Sequence, residues 1–518
     1  MKTTLERKYD IRNAVIRGAL AALAILLEVV WLIIAVGKLS ETYAWISIVI
    51  NALAVLLVLG IVGERNSPSL KIPWIILIIA LPLIGVLLYI AIGRNFGIRF
   101  MRKRYEKLDQ ELLPLLPENT LVQEAVERRD PQIATQMKYI HAQSGYPVYR
   151  NTEVIFYPDA AEGMAAQLKA LKKAEHFIFM EYHAIEASPS FGQLHDILKE
   201  KAAAGVEVRI FYDYVGSMGF INNKFIELME ADGIRCRVFN PVMPFLNLFM
   251  NNRDHRKITV IDGKVGFTGG YNLADEYFHI TEPYGFWLDT GVRLEGEAVR
   301  SLTIAFLENW NAIRSDDVDD VDYSPYLPKY SYVTPNAEFV QPFADQPLDD
   351  ELVGENVYMN ILRGASKYAY FTTPYLIITD EMTRAFSLAA KSGVDVRIIT
   401  PGIPDKKLIY AVTRSYYAQL VQSGVRIYEY SPGFCHAKQC VSDGKVAFCG
   451  TINLDYRSLY HHFENGVLLY NCAAVRDMKK QFDELFPQCR EVTEHYKTGR
   501  SAALRLWQLV LRLFAPLM

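Results

Sequence analysis

The strongest constraint on this chain is that it writes one motif twice. His255-Arg256-Lys257-Ile258-Thr259-Val260-Ile261-Asp262, continuing to Gly269-Gly270-Tyr271-Asn272, has a gapless counterpart in His436-Ala437-Lys438-Gln439-Cys440-Val441-Ser442-Asp443, continuing to Gly450-Thr451-Ile452-Asn453. Both obey H-x-K-x4-D-x6-G-[GT]-x-N. Other strings recur at a similar offset of about 180 residues. Ala203 to Ile210 resembles Ala390 to Ile398, each a helix end closed by Gly and followed by a strand, and Asp289-Thr290-Gly291-Val292 matches Glu464-Asn465-Gly466-Val467. Phe306 and Trp310 likewise match Phe482 and Phe486. The repeat predicts two copies of one mixed α/β unit.

Spacing gives the motif a chemical reading. Residues i and i+2 of a strand share a face, so each His projects with its Lys into one cavity while the residue between them turns away. A second strand, reached after the Gly pair, brings an Asn beside them. Facing copies would collect two imidazoles, two ammonium groups and two amides. That set suits a phosphodiester: Lys257, Lys438, Asn272 and Asn453 hold its oxygens, and His255 and His436 serve as nucleophile and acid. Asp289 and Glu464, aligned by the second repeated string, are candidates to orient the imidazoles. Asp262 and Asp443 fall five residues past the lysines, at a turn. A structural role competes there with a catalytic one, and both stay in the candidate catalytic set. His195 and His279 recur in no pattern and receive no role.

At these residues the sequence resembles the phospholipase D superfamily, whose defining feature is this duplicated H-K-D motif. Asn252 to Lys257, Gly269 to Asn272, the leader containing Pro73-Trp74 and Pro82 to Gly85, and the basic Trp-containing tail are similar to the bacterial cardiolipin synthase family. The resemblance implies two phospholipase D-like units facing each other about a pseudo-twofold axis. It also implies exchange between two phosphatidylglycerol molecules to give cardiolipin and glycerol, through a phosphohistidine, without nucleotide or metal cofactor. The partners would be membrane lipids, with no nucleic acid and no identified protein partner. The same residues could serve a membrane-bound phospholipase D, another phosphatidyltransferase or, less readily, a nuclease. A catalytically silent membrane scaffold is disfavoured because neither copy lacks its His or Lys.

Composition is consistent with that class. Hydrophobic residues make up 51% of the 518, and 55 Lys+Arg against 58 Asp+Glu leave a net charge of −3, which argues against disorder and a chain-wide nucleic-acid footprint. Three apolar runs, Gly18 to Val36 interrupted by Glu28, Ala44 to Gly63, and Ile72 to Gly93 with Pro73 and Pro82, predict transmembrane helices and a multi-pass cell-membrane location. If the Glu28 run only lies in the interface, most flanking basic residues fall on one side, and the catalytic region is cytoplasmic. In the tail, Arg505, Gln508 and Arg512 form a stripe opposite Leu506, Trp507, Leu509, Val510, Leu513 and Phe514. That pattern fits a helix on a membrane surface or one docked on the protein.

The expected organisation is membrane-anchoring helices over 1–95, a helical connector over 96–144, phospholipase D-like units over 145–330 and 331–495, and an amphipathic helix over 496–518. The acidic, proline-containing seam from Ser315 to Asp350 reads as a solvated linker. Six cysteines without a tight C-x-x-C pair point to neither a disulfide framework nor a zinc site.

Overall fold

The computed structural model describes residues 30, 34, 38, 44–64, 67–90, 98–221, 224–241, 252–314, 320, 322–329, 332–333, 338–498 and 501–515. Each copy of the repeat builds one mixed sheet. The first runs in the order Thr152–Tyr157, Gly291–Gly296, Val265–Gly269, Lys257–Ile261, Phe177–Tyr182, Glu207–Asp213 and Arg235–Phe239. The second repeats that order as Phe339–Asp345, His462–Tyr470, Val446–Gly450, Gln439–Ser442, Tyr368–Thr372, Asp395–Pro401 and Arg426–Tyr430, then adds Cys489–Glu491 at its edge. In both, the strand following the motif His and the next one form an antiparallel pair, while the strands beyond pair in parallel across helical crossovers. Every residue of Lys257–Ile261 and Gln439–Ser442 is buried, as expected of central strands covered on both faces. The helix before each parallel strand ends at Gly205 (φ +90°) or Gly393 (φ +93°), a left-handed position that a Cβ disfavours.

The halves exchange short strands. Arg253–Asp254, just before His255, pairs in parallel with His462 and Phe463 of the second half. Gly433–Cys435, just before His436, pairs in parallel with Phe286–Leu288 of the first. The join is also ionic. Arg256, the residue expected to turn away from the site, is fully buried behind it and spans both halves. It donates to Ala305 O and the Glu308 carboxylate, each at 3.1 Å, and to Glu464 O at 3.2 Å. Helices Ile98–Leu112 and Pro131–Ser144 pack across the same seam: Tyr105 donates to Asn309 at 2.8 Å, and Gln136 to Val357 O at 3.2 Å.

Two sequence readings need correction. In the leader, Leu81 is extended (φ −137°, ψ 74°), because a residue before proline is barred from the helical region. The third apolar run therefore splits into helices Pro68–Ala80 and Pro82–Leu88. Gly85 lies so close to Ile78 that a Cβ there would meet its Cα at 2.5 Å. Helix Ala44–Gly63 packs Ala54 and Ile61 onto Ile78, Val86 and Tyr89 of this folded-back unit. Among the described residues no helix is long and apolar enough to cross a membrane, so the expected transmembrane helices are not what the leader forms there. The run from Gly18 to Val36 lies almost wholly outside the described residues. The second correction concerns the seam. Asp320 is buried and takes a bidentate pair from Arg209 at 2.7 and 2.8 Å, so this part of the acidic stretch is tied to the first sheet instead of being solvated.

The tail helix Ala502–Phe514 docks on helix Lys407–Gln422 through its polar stripe. Arg512 lies over the Tyr416 ring at 4.3 Å and donates to Gln419, and Leu511 is buried beside them. Leu506, Trp507, Leu509 and Val510 face outward.

Because Arg256 neutralises Glu308 where neither has water, Arg256→Met should cost about 3–5 kcal/mol of stability by stranding a buried carboxylate. A lowered thermal midpoint would register this. Adding Glu308→Leu should recover much of the loss, whereas two independent surface changes would simply add.

Candidate active site

The exchanged strands deliver each imidazole to the opposite half. His255 N–H donates to Phe463 O at 2.9 Å, and one residue further along Glu464 receives the His255 ring: Nδ1 lies 2.9 and 3.0 Å from its two oxygens. Reciprocally, His436 N–H donates to Leu288 O at 2.8 Å, and His436 Nδ1 lies 2.6 Å from Asp289 Oδ2. All four groups are buried. The carboxylates accept and cannot donate, so each ring carries its proton on Nδ1 and presents Nε2 as the basic nitrogen.

Burial is the main cause of the electrostatic character of the site. It pushes His255 down to about 3 against the upward pull of Glu464, with Lys257 adding to the fall. His436 is pushed down to about 4, by burial and then by Lys438. Glu464 is held below its usual range because His255 outweighs the burial that would raise it. Asp289 is lowered for the same reason by Lys438 and His436. Both rings are therefore neutral beside ionised carboxylates. Burial also lowers Lys257 to about 7 and Lys438 to about 8. Lys438 Nζ lies 2.7 Å from Nδ1 and 3.0 Å from Nε2 of His436, and Lys257 donates to the His255 carbonyl.

The glycine pair of the motif has a local reason. A Cβ at Gly270 would fall 2.0 Å from the Asp289 carboxylate, so only glycine leaves room for that acid. In the second copy Thr451 occupies the equivalent position and donates to Glu464 instead. The asparagines also differ. Asn272 accepts from Ala184 N–H and donates to the Tyr277 hydroxyl, whereas Asn453 Oδ1 is buried with no hydrogen-bond partner.

Asp262 and Asp443 are not with the imidazoles. The motif strand carries them about 16 Å past its lysine at roughly 3.3 Å per residue. Each turns with positive φ (52° and 54°) and caps the start of the neighbouring strand. Asp262 accepts from the backbone N–H groups of Glu175, His176 and Phe177 at 2.7–2.9 Å. Asp443 does the same for Ser366, Lys367 and Tyr368 at 2.7–2.9 Å. Their recurrence comes from a repeated strand-to-strand clamp, which corrects their expected catalytic role.

Several neighbours escaped the sequence reading because their residue types do not recur in the other copy. The His183 and His462 rings lie 4.9 and 5.5 Å from His255, while Tyr277 and Trp287 each lie 5.4 Å from His436. One half-site is thus lined by imidazoles and the other by aromatic rings.

The comparisons fit this geometry. The family described as cardiolipin synthase, phospholipase D-like domain matches residues 168–290 and 358–486, and a phospholipase D-nuclease N-terminal family matches 49–94. A cardiolipin synthase of Geobacillus kaustophilus is 34% identical over 93% of this chain and 95% of its own length. A Streptococcus mutans protein of uncharacterised function is 40% identical over 89% and 99%. Among solved structures, the phosphatidylserine synthase of Haemophilus influenzae has a TM-score of 0.55 and 16% identity, covering 74% of this chain and 97% of its own, which shows a shared fold.

Two tests follow. Asp262→Ala should lose a clamp worth about 1–3 kcal/mol and lower the thermal midpoint, while the folded fraction keeps its KM; loss of turnover without loss of stability would return Asp262 to the catalytic set. The second test uses pH. The attacking imidazole must be neutral, which holds above about 3 to 4, and the lysines must be charged to hold phosphate and supply a proton, which fails as pH rises through about 7 to 8. The kcat/KM profile should therefore fall on its alkaline side near neutrality, and Lys257→Arg should move that limb upward.

Proposed function

The chain belongs to the phospholipase D-like cardiolipin synthase family and is a phosphatidyltransferase of that type, and from this premise we propose that it joins two phosphatidylglycerol molecules into cardiolipin and releases glycerol. The observation that carries the chemistry is the reciprocal pair of neutral, carboxylate-held imidazoles, each with its motif lysine beside it.

In this reading His255 is the nucleophile. Lys438 Nζ stands 3.0 Å from His436 Nε2, where it competes for the lone pair, whereas the described contacts of Lys257 run to the His255 carbonyl. His255 Nε2 attacks phosphorus and the P–O bond to glycerol breaks. The proton that the departing oxygen needs starts on the Lys438 ammonium, 3.0 Å from His436 Nε2, and is relayed through that nitrogen, to be returned to Lys438 when His436 takes it up again. His436 then takes the proton from the glycerol hydroxyl of a second lipid, whose oxygen attacks the phosphatidyl-histidine and frees His255. Lys257, Lys438 and Asn453 counter the charge on the phosphoryl oxygens throughout. Asn272, already held by Ala184 and Tyr277, assists with its remaining N–H. No net energy source is needed, because one phosphodiester replaces another.

The outer surface supports a bilayer as the place of reaction. Trp45, Ile48, Leu56 and Leu59 of the leader are exposed together with Leu506, Trp507 and Leu509 of the tail helix. Helix Pro68–Ala80 of the leader is linked to the tail helix through Ser69, Tyr456, Tyr416 and Arg512. Exposed tryptophans and aliphatic side chains of this kind fit insertion among lipid acyl chains.

Purified enzyme given phosphatidylglycerol in mixed micelles should produce cardiolipin and glycerol in equal amounts, and added glycerol should suppress the net yield. His255→Ala and His436→Ala should each lower the rate by at least about 10³-fold. Acid quench should trap lipid phosphate on wild-type enzyme and none on His255→Ala. Substantial cardiolipin from either variant, or inversion at phosphorus, would overturn the reading.

A further inference from the structure

The imidazole-lined half-site contains more nitrogen ligands than the reaction uses. His462 stands two residues before Glu464, at the point where the exchanged strand from the first half pairs with it. Both of its ring nitrogens are buried, and neither has a hydrogen-bond partner. Its Nδ1 lies 3.7 Å from Glu464 Oε1, too far for a hydrogen bond, while His255 Nδ1 lies 2.9 Å from that same oxygen. Ring nitrogens shielded from water and without a hydrogen bond are costly, and the residue at this position in the aromatic half-site is Trp287, not a second ligand.

We propose that His255, His462 and Glu464 form an inhibitory binding site for a divalent first-row transition ion such as Zn²⁺. One ligand atom from each of the three lies within 4.8 Å of the others. A tetrahedral zinc ion with bonds of about 2.0 Å to nitrogen or oxygen holds its ligand atoms roughly 3.3 Å apart. The 2.9 and 3.7 Å separations at Glu464 Oε1 bracket that value, so entry of the ion requires only a small adjustment of side chains. Two imidazoles and a carboxylate favour zinc, cobalt or nickel over magnesium or calcium, which prefer oxygen. The fourth position is left for water or a phosphate oxygen.

Inhibition follows from where the ion binds, and this part rests on the reading of His255 as nucleophile. The ion displaces the Nδ1 proton of His255 to solvent and takes the carboxylate that had held it. The ring then carries a cation where it had a hydrogen bond to an anion, and Nε2 loses the electron density needed to attack phosphorus. Glu464 is neutralised at the same time, so it no longer offsets a positive charge forming on the ring.

Co²⁺ and Zn²⁺ titrations of the full chain in detergent micelles test this. Wild-type protein should bind one Co²⁺ with the visible absorption of a low-coordinate nitrogen and oxygen site, and Zn²⁺ should displace it and stop phosphatidyl transfer, while Mg²⁺ does neither. His462→Asn should weaken Co²⁺ binding by about 10–100-fold and require a similarly higher Zn²⁺ concentration for half-inhibition relative to its own metal-free rate. His279→Asn, at an imidazole held elsewhere by Asp159, should behave as wild type. An unchanged cobalt spectrum in His462→Asn would overturn the proposal, as would stoichiometric binding without inhibition. The spectrum needs no turnover and the quenched phosphohistidine needs no metal, so failure of this site and failure of the proposed reaction can be told apart.

Discussion

The rest of the molecule depends on one crossed arrangement: each motif histidine is held by a carboxylate from the other half. Two-residue and three-residue strands make the exchange, and a backbone hydrogen bond from each His N–H fixes the ring one step from its acid. Neither motif histidine finds its carboxylate within its own half. Assembly of the halves and formation of the site are therefore the same event. This explains why the seam is crossed by so many specific groups, from Arg256 at its centre to the helices before the first sheet.

Such a site places charge where water is scarce, and the fold compensates locally. Arg256 and Glu308 neutralise each other behind the motif, and Asp254 is pushed up to about 7 by burial, which lessens the negative charge beside them. The same desolvation keeps the imidazoles neutral and brings the lysines close to the pH at which they lose their protons. In water neither effect would be available. A phosphodiester entering this space meets cations poorly screened by solvent, so their attraction for it is strong. The two half-sites then diverge, with imidazoles around His255 and aromatic rings around His436, and chemically similar copies acquire different surroundings.

The outer surface follows the opposite rule. The tail helix turns its arginine and glutamine toward helix Lys407–Gln422 and leaves Trp507 and the leucines outside, an arrangement that is unfavourable in water and favourable against lipid. The leader presents a similar apolar face while its own packing closes around Ile78 and Gly85. Two ends of the chain, more than 400 residues apart, are thus linked through Ser69, Tyr456, Tyr416 and Arg512, and each presents exposed apolar side chains.

The sequence alone determined the two-unit architecture and named the candidate reacting groups. Repetition of a whole motif identified two equivalent units, and strand periodicity predicted that His and Lys act together in each, because these are local rules that each copy obeys independently; the histidines themselves stand just ahead of the strands that begin at Lys257 and Gln439. Asp289 and Glu464 were also visible through the repeat, but which acid serves which histidine was not, since strand exchange leaves no trace in spacing. Repetition misled at Asp262 and Asp443: a structural clamp recurs as faithfully as a catalytic group. Hydropathy counted the apolar leader residues but could not weigh the bend that Pro82 imposes on Leu81 or the close approach that Gly85 allows. Arg256, His183 and His462 occur in only one copy, so no pattern marked them. Only the tertiary structure decided their parts, because burial, partner choice and pKa depend on what surrounds a side chain in space, and most of what surrounds these comes from the other half of the protein.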